Sequence, residues 1–163
     1  MKIRKATIED LDEITKIEEI CFPKTEAASR ECFRSRLLVY PDYFWLIEQD
    51  GLIVTFINGM VTDEKTITDE MFENSELHNS NGDWQAIFGV NTLPEYRNRG
   101  LAGILMKRVI EDAQKQGRRG CILTCKDTLI HYYEKFGYVN KGISESVHGG
   151  AIWYDIILEF ENE

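Results

Sequence analysis

The chain has 163 residues, 43% of them hydrophobic and 29% charged, and its formal net charge is −9. That length suits one compact domain with a sizeable core. That acidity argues against general binding to nucleic acid or to an anionic membrane. No apolar run approaches the length of a bilayer span, and the opening MKIRKATIEDL has no apolar leader core. The cytoplasm is therefore the expected compartment. Cys121 and Cys125 fall in one apolar stretch that reads as a strand, where four residues span roughly 13 Å, too far for a disulfide between them. No Cys-x-x-Cys spacing occurs and the three histidines are scattered, so reduced thiols and no metal site are expected.

Lys2–Ala6 reads as a first strand. Thr7 and Asp10 form a capping box, and Leu11, Ile14, Ile17 and Ile20 recur at helical spacing up to Phe22-Pro23. A loop over Pro23–Ser29 precedes a second helix reaching about Leu38, which Tyr40-Pro41 breaks. Phe44–Glu48 and Leu52–Met60 read as a hairpin turning at Asp50-Gly51. Residues 61–83 are polar and acidic, with a short helix from Asp69 to Leu77, and read as a solvated surface connector.

Trp84–Val90 is a nearly continuous apolar run, the pattern of a central strand covered on both faces. A glycine turn follows, then a helix to about Gln116 with Leu101, Leu105, Val109 and Ala113 in one stripe. Cys121–Cys125 is a further buried strand. Asp127 is placed to cap a helix ending at Phe136-Gly137. Tyr138–Ser144 and Ala151–Phe160 close the chain as a strand pair around His148-Gly149-Gly150. This order implies an α/β fold, a mixed sheet of about seven strands with helices on both faces.

The turn Leu93–Gly103, LPEYRNRGLAG, carries the chemistry. A glycine-bearing turn between strand and helix can aim main-chain N–H groups at a phosphate, and the helix dipole favours negative charge there. Residues 97–119 carry seven cations and two anions, a net of +5 in a chain of −9. A basic island in an acidic protein points to a local anionic ligand, or to a solvated helix face. There is no G-x-x-x-x-G-K-[ST] and no G-x-G-x-x-G, so P-loop and Rossmann sites are excluded.

Arg97-x-x-Gly100-x-Ala102 resembles the acyl-CoA signature of the GNAT family of N-acetyltransferases, Gln/Arg-x-x-Gly-x-Gly/Ala. Tyr132-Tyr133-Glu134-Lys135-Phe136-Gly137-Tyr138 is similar to that family's tyrosine-bearing segment. Cys21-Phe22-Pro23, Ala27-Ala28-Ser29 and His148-Gly149-Gly150-Ala151 resemble the bacterial relatives of serotonin (arylalkylamine) N-acetyltransferase. The resemblance implies a single GNAT-like domain over residues 1–163, with a mostly antiparallel sheet splayed at its centre. It implies acetyl-CoA as acyl donor, a small amine as acceptor, and neither a nucleic-acid nor a membrane partner. Relatives are often dimers, so it also allows a homodimer.

Position by position, the resemblance puts the backbone of Val90, Asn91 and Thr92 beside the pantetheine arm. It puts the amides of Asn98, Arg99, Gly100, Leu101, Ala102 and Gly103 around the pyrophosphate, with Arg97 and Arg99 adding charge-assisted contacts. Tyr133 matches the tyrosine that protonates the departing CoA thiolate, and a backbone N–H near Val90 is the natural oxyanion donor. The animal branch of this subfamily carries two histidines on the strand before the turn. Those positions fall at Ala86 and Phe88, which accept no proton, so a water chain ending on a carboxylate is expected as base. His148 is a turn residue or a second candidate. His131 sits about 200° around the helix from Tyr133 and faces away.

The resemblance forms the acceptor pocket from residues 21–29 and 145–151. Phe22, Pro23, Tyr40, Phe44 and Trp153 are candidate walls, and Glu26, Glu145 and Asp155 candidate cation attractors. The expected reaction is direct acetyl transfer to the primary amine of a small, arylalkyl-type molecule. The alternatives are acetylation of a protein N-terminus or lysine, with the acidic 61–83 segment lining a groove, and a non-catalytic acyl-CoA-binding module.

Overall fold

The computed structural model describes residues 1–161. The last two positions of the expected domain, 162 and 163, lie outside the described residues. Strand β1 (Lys2–Lys5) leads through a 3-10 turn into helix α1 (Leu11–Cys21). The capping box forms as the sequence predicts: Asp10 accepts from the N–H of Thr7 at 2.8 Å while its carboxylate is gripped by Arg4 at 2.8 Å. Leu11, Ile14 and Ile17 are buried, but Ile20 is half exposed, because the buried face turns through Thr15 and Glu18 instead.

Helix α2 (Arg30–Val39) is capped by Ser29, whose hydroxyl accepts from Cys32 N–H at 3.1 Å. Strands β2 (Phe44–Gln49) and β3 (Leu52–Asn58) form the expected hairpin. Asp50 and Gly51 both have positive φ, 52° and 80°, the conformation an Asp-Gly turn supplies at low steric cost. Strand β4 (Val61–Thr62), helix α3 (Asp69–Glu73), strand β5 (Trp84–Ile87) and strand β6 (Gly89–Thr92) follow. Helix α4 (Leu101–Lys115), strand β7 (Gly120–Cys125), helix α5 (Ile130–Glu134), strand β8 (Val139–Ile143) and strand β9 (Tyr154–Glu159) complete the described residues. Asp127 opens a 3-10 turn ahead of α5 and does not cap that helix.

The strands form two sheets, β1-β2-β3-β6 and β4-β5-β7-β9-β8. Every pairing is antiparallel except β5 with β7. The nine strands among the described residues exceed the seven read from sequence because β4 is only two residues long and the run from Trp84 divides at Phe88. That division organises the molecule. Trp84–Ile87 pairs with β7 from Gly120 to Leu123, and Gly89–Thr92 leaves β7 and pairs only with β3. The two sheets part between β6 and the end of β7.

Residues 61–83 are not merely a solvated connector. Ile67 and Met71 are in the core, and Asp69 accepts hydrogen bonds from the Ser146 hydroxyl and, at 3.1 Å, from the N–H of Val147. The segment thus fastens the loop before β9. The basic island divides as well. Arg118 is buried, donating to Ser80 O, Gly82 O and Tyr43 Oη, and Arg119 pairs with Glu159. Those two arginines hold loops together, leaving Arg97 and Arg99 as the exposed cations in the loop before α4.

Candidate active site

Where β6 and β7 separate, the chain leaves a cavity of about 750 Å³. Phe88, Gly89 and Val90 line one side, and Leu123, Thr124, Cys125 and Lys126 the other. Tyr133 on α5 closes part of the wall, and α1, α2 and the loop between them supply the far end. Leu93 N–H bonds Val54 O at 2.9 Å, and β-strand N–H groups alternate in direction. The N–H of Val90 therefore points away from β3, toward the gap. The carbonyl of Thr92 is turned the same way and accepts from Arg97 Nε at 3.0 Å and Cys21 Sγ at 3.4 Å.

Beyond Thr92 a 3-10 turn leads to the loop Arg97–Gly100. Asn98 and Gly100 have φ of 64° and 76°, left-handed positions that fold the backbone into a concave turn. Helix α4 begins at Leu101 with no side chain capping it, so the first-turn amides of Leu101, Ala102 and Gly103 have no intrahelical acceptor. An added Cβ at Gly100 would meet nothing within 4 Å, so the loop faces open space. Arg99 stacks on Tyr96 at 5.0 Å and donates to Glu95 O at 3.0 Å. Residues 97–103 do not line the cavity. Arg97–Gly100 form an exposed loop outside it, and α4 reaches α5 where Gly103 faces Phe136 and the Tyr132 hydroxyl.

Tyr133 is 7% exposed and burial pushes its phenol pKa up, so the hydroxyl stays protonated at neutral pH. Tyr132 packs edge-on against Tyr133 and Phe136 and does not line the cavity. Burial pushes Cys125 up to about 11 and Cys121 up to about 12, so neither is a thiolate near pH 7. Cys21 and Cys32 donate to the carbonyls of Thr92 and Phe72.

At the far end, Phe22, Pro23, Trp153, Glu26 and His148, the candidate acceptor residues, line the cavity. Tyr40 and Phe44 do not. They stack on each other in the core at 6.2 Å. Glu145 and Asp155 also lie off the lining. Glu26 is already paired with Lys126 at 2.8 Å. His148 Nε2 lies 2.8 Å from Glu26 O, so that nitrogen carries the proton, and its ring stacks on Phe72 at 4.7 Å. The imidazole ties the 148–150 turn to the 21–29 loop. His131 is exposed near Glu134, away from the cavity.

Among the cavity residues that escaped the sequence reading are Glu18, Arg36, Asn58 and Phe72. Glu18 stands one turn after Ile14 on the apolar stripe of α1, and Arg36 stands beside Phe33 and Leu37 on that of α2. A charged side chain inside a helical apolar stripe was the available signal. Asn91 is fully buried and donates to Glu18 at 2.9 Å, so its side chain serves the polar end of the cavity.

Parted central strands, a cavity between them and an uncapped helix start beyond are the layout of a GNAT-type domain. The chain belongs to the acetyltransferase (GNAT) domain family, whose pattern matches residues 2–140. It is 29% identical over 91 residues to serotonin N-acetyltransferase of Mesocricetus auratus, a match that takes in 55% of this chain and 42% of that protein. The chain thus matches less than half the length of that curated relative. Among solved structures it resembles the GphF GNAT-like decarboxylase in complex with isobutyryl-CoA, at 20% identity and a TM-score of 0.83 over 98% of this chain and 99% of that one. The loading GNATL domain of CurA from Lyngbya majuscula gives 18% identity and a TM-score of 0.83 over 97% and 96%. No helix among the described residues is long and apolar enough to cross a membrane.

Proposed function

We propose that residues 1–163 form one N-acetyltransferase domain that moves an acetyl group from acetyl-CoA to the primary amine of a small, arylalkyl-type molecule. The cavity carries this reading. It brings the free edge of β6 and the Tyr133 side chain to one gap and opens at its other end on aromatic walls. Phe22, Phe72, Phe88 and Trp153 suit an aromatic ring with a short amine arm. The diphosphate lies on the first-turn amides of α4, and the pantetheine runs along Val90–Thr92 as an added strand. The N–H of Val90 receives the oxyanion, and Tyr133 hands its proton to the leaving thiolate. Burial keeps the Cys125 thiol beside Tyr133 protonated, and transfer goes directly to the amine without an acyl-enzyme at that cysteine.

Thiol release from acetyl-CoA, followed across tryptamine, spermidine and short peptides, tests the reading. Tryptamine is expected to be the best acceptor. Preferential turnover of peptides would move the assignment to protein acetylation, and CoA binding without turnover would leave an acyl-CoA-binding module.

Charge reversal at either Arg97 or Arg99 is expected to weaken CoA binding about tenfold, and the loss should shrink as salt is added. Calorimetric titration at two salt concentrations measures it. Unchanged affinity removes those guanidinium groups from the site.

A further inference from the structure

Glu18 is a buried carboxylate on the cavity wall, 6% exposed, with no cation in contact among the described residues. The other cavity carboxylates differ from it. Glu26 is neutralised by Lys126, and Glu31 and Glu73 are exposed to solvent. Glu18 Oε2 accepts from the N–H of Ala28 at 2.9 Å, and Oε1 accepts from Asn91 Nδ2 at 2.9 Å. These two bonds fix the carboxylate plane and leave each oxygen a free lone pair. A Cβ built on Gly89 would lie 3.9 Å from Oε1, so the carboxylate sits against β6 next to Val90. Tyr133 lines the same cavity from α5.

We propose that Glu18 is the catalytic base of this site, taking the first proton from the acceptor ammonium. The inference rests on the acyl-transfer reading and adds to it the group that starts the reaction.

Asn91 fits a partner whose charge changes. Its Oδ1 is buried and has no hydrogen-bond partner. With its amide turned over, Asn91 offers that oxygen to a protonated Glu18, so one side chain serves both states of the carboxyl. Arginine in its place would hold Glu18 ionised. The charged and titratable groups facing Glu18 are Arg36 from α2 and His148 from the turn before β9, and positive charge on either favours the carboxylate. Burial is the larger influence and moves the pKa up, toward a group that accepts a proton from an ammonium more readily than an exposed glutamate does.

The protons balance as follows. The ammonium gives one proton to Glu18, and the freed lone pair attacks the thioester carbonyl carbon, forming C–N. The oxyanion collapses and C–S breaks. The departing thiolate takes the Tyr133 proton, and the tyrosinate recovers one from the cationic amide nitrogen. The products are the acetamide and CoA thiol, and Glu18 returns its proton to solvent.

Glu18→Gln tests this with little structural change. The glutamine oxygen can accept from Ala28, and its amide can donate to Asn91 Oδ1. With an amine that the wild type acetylates, the variant should keep its melting temperature and CoA affinity. It should lose on the order of a hundredfold in kcat/KM at pH 7, a deficit that narrows toward the amine's own pKa, where free amine needs no base. Turnover within about threefold of wild type, or a deficit of equal size at every pH, overturns the proposal. Carbon-13 NMR of the glutamate carboxyls, with the Glu18 signal assigned by its loss in the variant, should show titration above the ordinary glutamate range. An ordinary or lowered value also overturns it. Wild-type protein that acetylates no amine sinks the transfer reading itself, and the base with it. Turnover that survives Glu18→Gln sinks only the base.

Discussion

Tyr133→Phe is expected to lower kcat on the order of a hundredfold or more while leaving CoA affinity within about twofold. The change removes one oxygen from a ring that is 7% exposed and keeps the packing of that ring against Tyr132 and Tyr138. What is lost is the proton for the leaving sulfur, worth about 2.7 kcal/mol of barrier for a hundredfold. Burial acts on both partners in this step. It pushes the phenol up, and a CoA thiolate desolvated beside it would be raised for the same reason, so the transfer would stay matched. It follows that the wild-type rate should show no falling limb from Tyr133 ionisation near neutral pH. Tyr132→Phe is the control, because Tyr132 packs on the outer side of Tyr133 and does not line the cavity. Steady-state thiol release and calorimetric CoA binding on the two variants separate the roles. If Tyr133→Phe turns over at the wild-type rate, the acid lies elsewhere.

The elements that are periodic or punctuated were legible in the sequence. Asp50-Gly51 specified a hairpin because few other residue pairs enter the left-handed region cheaply. The stripe Leu101, Leu105, Val109, Ala113 gave α4, and Gly117, with φ of 78°, its end. Tyr133 and Val90, which the family resemblance singles out, both line one cavity. The division of Trp84–Thr92 between two sheets was not legible. An apolar run reports that a strand is covered, not which neighbour it keeps, and pairing is a long-range property. The same limit hid the task of residues 61–83. Their acidic composition reads as solvated, yet Asp69 reaches across 77 positions to hold Ser146. Glu18 and Arg36 were visible as charges on apolar stripes, but only the folded chain shows that both face a cavity.

Gly59→Ala is expected to be the most damaging single-methyl addition in the central seam. A Cβ at this position would lie 1.8 Å from Ala86 O, 2.6 Å from Ala86 C and 2.9 Å from Ile87 Cα. All three atoms are main chain in the strand run that divides, so no side chain can swing aside. The neighbouring bonds tighten the constraint: Ala86 N–H donates to Met60 O at 2.8 Å and Phe88 N–H to Asn58 O at 2.7 Å. Relief requires the two runs to move apart, which breaks those bonds and shifts Phe88–Val90, the edge that borders the cavity. A loss of about 3 kcal/mol or more is expected, at the upper end for overpacking. Gly100→Ala makes the contrast. Its Cβ meets nothing within 4 Å, so only the φ of 76° opposes it, at about 1–2 kcal/mol. Urea unfolding of both variants, followed by CoA binding of the folded fraction, gives the ranking. Gly59→Ala should lower the midpoint further than Gly100→Ala. A wild-type midpoint for Gly59→Ala would mean that the runs can separate at this point without penalty, and that the width of the gap is not set by the close approach at Gly59.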